Sequence, residues 1–148
     1  MEFNSLKDCV VLYVEDEKAV REQTQMILKD FVKEVYFASN GEEGLKIALE
    51  KEVDIIVTDI LMPGMNGIEM LKKLKNEHQR TIPAIITTAF TETEYLMDAI
   101  SLKVDGFIMK PINIKDLISN IYTAMLPKMH TKEMQGCSFM VEGLAALI

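Results

Sequence analysis

The segment Val53-Asp54-Ile55-Ile56-Val57-Thr58-Asp59 has four β-branched apolar residues among its seven, and from Val53 on neither Pro nor Gly occurs until Pro63. Such a run describes a short strand buried on both faces, the form strands take inside a parallel sheet. It closes on an acid. Ile60-Leu61-Met62-Pro63-Gly64-Met65-Asn66-Gly67 comes next, where one proline and two glycines impose a turn and Asn66 can cap the next helix. Asp59 therefore stands at the carboxyl end of a central strand, the edge at which open α/β sheets place their chemistry. Taken alone it reads as a polar residue that merely ends the strand. The rest of the chain decides otherwise.

Strand and helix signals alternate throughout. Cys9 to Val14 is an apolar run stopped by Glu15-Asp16-Glu17, since three adjacent acids cannot continue a buried strand. Helical spacing then puts Val20, Thr24, Ile27 and Phe31 on one face and Arg21, Glu22, Gln25 and Lys29 on the other. Val35 to Ala38 is a short second strand near an edge. Asn40 with Glu43 forms a capping-box pattern for a helix running to about Leu49, weakened by roughly 1 kcal/mol at Gly44. After the third strand, Ile68, Leu71 and Leu74 mark a helix ending around His78. Pro83 to Thr88 is the fourth strand, and Thr91 to Glu94 caps a helix that buries Tyr95 or Leu96, Ala99 and Ile100. Val104 to Met109 leads into a fifth strand that Lys110-Pro111 terminates. Asn113 caps a last helix with Ile114, Leu117, Ile118, Ile121 and Met125 inward. Five βα units with short connections and right-handed crossovers make an α/β fold, a doubly wound parallel sheet with helices on both faces.

The carboxyl ends of those strands carry Glu15 and Asp16, then Asp59, then Thr87-Thr88, then Lys110. In a doubly wound sheet of order 2-1-3-4-5, the flavodoxin-like order, the first and third strands are neighbours and three carboxylates converge. Acids that close raise one another's pKa and destabilise the fold unless a cation is shared. Stabilisation of Glu15 and Asp16 by a helix dipole, about 0.3–1 kcal/mol, does not account for a third carboxylate and a lysine at the same edge. A few hard oxygens suit Mg²⁺, which binds through one or two carboxylates plus phosphate. A hydroxyl and an ammonium complete a site for a phosphoryl group.

Composition narrows the partners. A formal charge of −7 over 148 residues disfavours direct contact with nucleic acid, whose affinity comes from neutralised phosphates. No stretch reaches the roughly 18–20 apolar residues of a membrane span, and the acidic, polar start lacks a basic signal region, so a cytoplasmic protein is expected. Cys9 and Cys137 form no CxxC pattern and suggest neither a metal site nor a disulfide framework, Cys9 reading as a small buried hydrophobe; His78 and His130 read as surface residues.

The combination of Glu15-Asp16, Asp59 followed by Pro63, Gly64 and Gly67, Thr88-Ala89, and Lys110-Pro111 resembles the receiver domain of two-component response regulators, the family of the chemotaxis regulator. The resemblance covers residues from about 8 to 126. It implies that Asp59 is the phosphoacceptor, and that Asp16, Asp59 and the Leu61 backbone carbonyl ligate Mg²⁺ with Glu15 helping to hold it. Thr88, rather than Thr87, matches the switch hydroxyl. Lys110 pairs with the phosphoryl group, and the Lys110-Pro111 bond is cis. Phe107 falls where the family carries its switch aromatic, though its strand position also suits a permanently buried core residue. The family's partners are a sensor histidine kinase or phosphotransfer protein, with a homodimer possible through the fourth and fifth helices and the fifth strand. A receiver is a regulatory switch that catalyses only its own phosphorylation and slow dephosphorylation. Leu61 and Phe90 are apolar where many relatives differ, and both flank the path of hydrolytic water in the family, which implies slow self-dephosphorylation.

Residues 127–148 read as a linker or the start of an output or docking segment: Pro127 to Lys132 breaks the pattern, and Phe139-Met140-Val141 with Leu144 to Ile148 suits a short amphipathic helix. Two rival functions are weaker. A haloacid-dehalogenase-type Mg²⁺ phosphatase needs a second acid two residues after the nucleophile, where this chain has Leu61. A flavodoxin-like electron carrier needs a phosphate-cradling loop after the first strand, where this chain has acids.

Overall fold

The computed structural model describes residues 5–89 and 93–128. The elements are β1 (Val10–Val14), α1 (Lys18–Leu28), β2 (Glu34–Ala38), α2 (Gly41–Glu50), β3 (Ile55–Asp59), α3 (Gly67–Asn76), β4 (Ala84–Thr88), α4 (Leu96–Ser101), β5 (Gly106–Met109) and α5 (Ile114–Met125). The five strands form one parallel sheet in the order β2-β1-β3-β4-β5, as the alternation implies. Among the described residues no helix is long and apolar enough to cross a membrane.

Every residue of β1, β3 and β4 is buried, because successive side chains feed two different cores. Val11, Tyr13, Ile55, Val57, Ile85 and Ile108 meet Leu28 of α1 and Leu117, Ile121 and Met125 of α5. Leu12, Val14, Ile56 and Ile86 face the other way, onto Ala48 of α2, Met70, Leu71 and Leu74 of α3, and Ala99 of α4. Each fully buried aliphatic side chain contributes about 1.5–3 kcal/mol. Gly44 is what lets α2 lie close: a Cβ there would stand 2.7 Å from Met70 Sδ and 3.1 Å from Val14 Cγ2.

Helix starts agree with the sequence signals. Asn40 Oδ1 accepts from the Glu43 amide at 2.8 Å, although Glu43 answers Ser39 Oγ rather than closing the box. Asn66 makes the full reciprocal box with Glu69, and Asn113 accepts from the Lys115 and Asp116 amides. Two helices sit differently from their periodicity. On α1 the buried residues are Thr24 and Leu28, while Ile27 is 44% and Phe31 45% exposed. The helix stops at Leu28, so Phe31 lies past the point where the 3.6 period applies. On α4 only Ala99 is buried and Ile100 is 58% exposed, because the segment begins as a 3₁₀ turn over Thr93–Tyr95 that rotates the helix after it. Thr91 and Phe90 lie outside the described residues, so the capping box expected there does too.

Two strands begin later than the apolar runs suggest, for one shared reason. Asp54 donates its amide to Val10 O and accepts the Val10 amide on Oδ2 at 2.8 Å; Asp105 does the same with Ala84, accepting at 2.9 Å. Each acid clamps the first residue of the neighbouring strand. Cys9, beside this end of the sheet, is free and fully buried. Burial, then the nearby Asp54 charge, push its thiol up to about 12, which leaves it inert. His78 is exposed, as expected. Leu126–Lys128 adds one 3₁₀ turn after α5, and Lys128 Nζ reaches Asp54 O at 3.4 Å. Residues 129–148, with His130 and Cys137, lie outside the described residues.

Candidate phosphoryl and metal site

Glu15 follows β1 directly and its amide still bonds Ala38 O of β2, so the ladder carries it inside the sheet edge. Its side chain is fully buried. Oε2 accepts the Glu17 amide at 3.2 Å, which turns the chain into α1, and Arg21 Nη1 donates to the Glu15 carbonyl at 2.8 Å. Asp16 is half-buried beside it. Asp59, on the adjacent β3, is 4% exposed; its Oδ1 accepts the Ile60 amide at 2.8 Å. Glu15, Asp16 and Asp59 each bring a carboxylate oxygen within 4.8 Å of the others.

Lys110 reaches this cluster from the end of β5. Its ammonium lies 2.6 Å from Asp59 Oδ2 and 3.0 Å from Glu15 Oε1. The second contact is an ion pair without hydrogen-bond alignment, so Glu15 Oε1 keeps unused acceptor capacity inside the cluster. Burial works to push the Lys110 ammonium down, but the Asp59 bond and the charges of Asp59 and Glu15 outweigh it and hold the group above its ordinary 10.5. Burial raises the Glu15 carboxyl above its ordinary 4.5, with the Lys110 ammonium pulling against that rise. Among the described residues, one cation thus serves two buried acids and a third nearby, which leaves carboxylate charge in excess.

The loop after β3 is held from two sides. Gly67 donates to Ile60 O at 2.9 Å, and a Cβ at Gly67 would run into the Asp59 carbonyl, so only glycine fits. Gly64 turns at φ 77°. Glu42 on α2 accepts the Met65 amide at 3.1 Å, and Gly41 donates to Met65 O at 3.2 Å. This tether fixes the stretch bearing Leu61, whose side chain is exposed. The Glu42 tether is not legible in sequence, because nothing local marks a residue of one helix as the partner of a loop 23 positions away.

The remaining candidates fall around this core. Thr88, at the end of β4, is buried and donates to Ala89 O at 3.2 Å; in register it pairs with Met109, whereas Thr87 pairs with Asp59. Phe107 on β5 is 38% exposed, which removes the reading of a permanently buried core aromatic. The Lys110–Pro111 peptide is cis. A cavity of about 300 Å³ lined by Leu71, Leu74, Ile82, Pro83 and Val104 among others sits at the amino-terminal end of the sheet and includes none of these residues.

Residues 11–122 match the family model of the response regulator receiver domain. The chain is 34% identical over 115 residues to a cyclic di-GMP phosphodiesterase of Thermotoga maritima, covering 78% of this chain and 30% of that protein. It is 32% identical to the transcriptional regulatory protein DltR of Streptococcus agalactiae, covering 75% and 49%. The chain therefore spans half or less of these two relatives. Among solved structures it resembles the N-terminal domain of a Wolinella succinogenes protein (35% identity, TM-score 0.72, covering 78% and 93%). It also resembles a chemotaxis response regulator of Vibrio cholerae (28% identity, TM-score 0.71, covering 79% and 98%).

Proposed function

This chain belongs to the response regulator receiver domain family, and from that membership we propose that it is a phosphoacceptor switch charged at Asp59 by a histidine kinase or phosphotransfer protein. The observation that carries the reading is the 2.6 Å pair between Lys110 and Asp59 inside a cluster of three carboxylates. A strand-end acid held by a partly buried ammonium is both oriented and partly neutralised before any donor arrives.

The donor set suits Mg²⁺: the buried carboxylates of Asp59 and of Glu15, one of whose oxygens is under-used, with the Asp16 carboxylate beside them, and family membership adds the Leu61 backbone carbonyl as a further ligand. When bound, the ion supplies positive charge to a phosphoryl oxygen and relieves the crowding of like charges. The chain's own residues do the rest. An Asp59 carboxylate oxygen forms a bond to phosphorus while the bond from phosphorus to the donor's leaving atom breaks, and the donor departs with that electron pair. Lys110 gives up its contact with Asp59 Oδ2 and meets a phosphoryl oxygen as a compact point charge. The Thr88 hydroxyl donates to another. Phe107, half out of the surface, then turns inward as Thr88 moves, biasing an equilibrium between two surfaces of α4, β5 and α5. Met97, Ile100 and Met109 are exposed on those elements and support a partner or a second copy there. The relatives are named for transcriptional regulation and for cyclic di-GMP hydrolysis, and the input module is what this chain shares with both. The phosphatase alternative has no support from position 61, where Leu61 brings no acid.

Incubation with acetyl phosphate and Mg²⁺ tests the reading by intact mass. One phosphoryl group per chain is expected, absent with a chelator and absent from Asp59→Asn. Labelling elsewhere, or steady turnover of the donor without a stable adduct, refutes it.

A further inference from the structure

Thr87 is fully buried, and its hydroxyl has no hydrogen-bond partner. It stands in register between Asp59 on β3 and Ile108 on β5, on the sheet face shared by Val57, Ile85 and Ile108. Lys110 is two residues beyond Ile108, so strand alternation puts its side chain on that same face. To reach Asp59 from β5 that side chain must cross β4, and the last strand residue on its path is Thr87. An ammonium has three donors; the Asp59 contact engages one of them, and the Glu15 contact is an ion pair without hydrogen-bond alignment. Valine matches threonine in shape and suits a buried strand better, so an unpaired hydroxyl here destabilises the resting chain for no gain in packing.

We infer that Thr87 is a positioning residue for Lys110: its hydroxyl oxygen, unpaired in the resting chain, accepts from the ammonium once a phosphoryl group draws Lys110 away from Asp59. The inference rests on the phosphoacceptor reading of Asp59. Because the new bond exists only in the loaded state, the hydroxyl favours loading over rest, which is how a group raises affinity for one state of a two-state system. Thr88 lies on the opposite face of β4 and does not duplicate this role.

The test titrates beryllofluoride with Mg²⁺ into wild type, Thr87→Val and Thr87→Ser, following ¹⁵N-amide shifts and melting temperature. The valine variant is expected to melt a few degrees higher when free and to need about fivefold more beryllofluoride for half-saturation, the factor matching one hydrogen bond. The serine variant is expected to saturate as wild type does. A valine variant that saturates at the wild-type concentration makes the hydroxyl purely structural and overturns the inference, as does a serine variant that behaves like valine. Wild type that takes up no beryllofluoride, or Asp59→Asn that takes it up equally well, overturns the phosphoacceptor reading and this inference with it.

Discussion

Replacing Lys110 with Met removes the ammonium from two buried carboxylates while keeping most of the apolar stem. Breaking a buried pair from one side costs about 3–5 kcal/mol, because the partner is left charged and unpaired. The Lys110 side chain is 22% exposed, so water screens part of this, and about 2–4 kcal/mol is the fair figure. For a chain of this size that corresponds to roughly 4–16 °C in melting temperature. Glu15 already has its carboxyl raised above 4.5, chiefly by burial. The folded chain therefore holds that proton more tightly than the unfolded one, and stability falls as pH rises through and above 4.5. Without the ammonium that pulls against it the Glu15 carboxyl rises further, so the gap between variant and wild type opens from acid toward neutral pH. Lys110 contributes fully at neutral pH in wild type, since its raised pKa means the contribution is lost only above 10.5. The chain has no Trp, so urea unfolding followed by far-UV circular dichroism is the assay. A lower midpoint with unchanged slope is expected in chelator, shrinking at acid pH and on adding Mg²⁺. A deficit indifferent to both pH and Mg²⁺ refutes the reasoning.

Three further outcomes are expected. Gly67→Ala drives a Cβ into the Asp59 backbone and should cost about 1–3 kcal/mol, whereas Gly44→Ala meets the flexible end of Met70, gains helix propensity and should stay within about 1 kcal/mol of wild type; thermal melts of the pair test the contrast. Asp54→Ala leaves the buried Val10 amide without its side-chain acceptor and should cost about 1–3 kcal/mol in urea, with phosphorylation by acetyl phosphate unchanged. Leu61→Ala opens the approach of water to Asp59, so the phosphorylated chain should have a shorter half-life by intact mass; a longer one contradicts the shielding argument.

How far the residues themselves foretold this arrangement differs from element to element. The runs at Cys9–Val14 and Val53–Asp59 announce two-sided burial because apolar residues are nearly continuous there, and Asn40, Asn66 and Asn113 announce helix starts because a cap bonds amides two or three positions away. Convergence of Glu15, Asp16, Asp59 and Lys110 was legible too, since strand direction alone sends all carboxyl ends to one edge. The inward faces of α1 and α4 were not. Their apolar residues fit more than one stripe, and where each helix stops or tightens into a 3₁₀ turn is settled by what it docks against.

Short-range chemistry is thus what the chain carries in its order of residues: strand runs, caps, turns, and an acid where the first and third strands end. Tertiary structure alone decided that Asp54 clamps Val10 across 44 positions, that Glu42 holds the loop at Met65, and that Lys110 meets Asp59 across 51. It also decided that Thr87 shares its register with Asp59 while Thr88 pairs with Met109. Those contacts depend on register and on side-chain reach between segments far apart in the chain, and a one-residue slip of β4 would exchange the two threonines without altering any local signal.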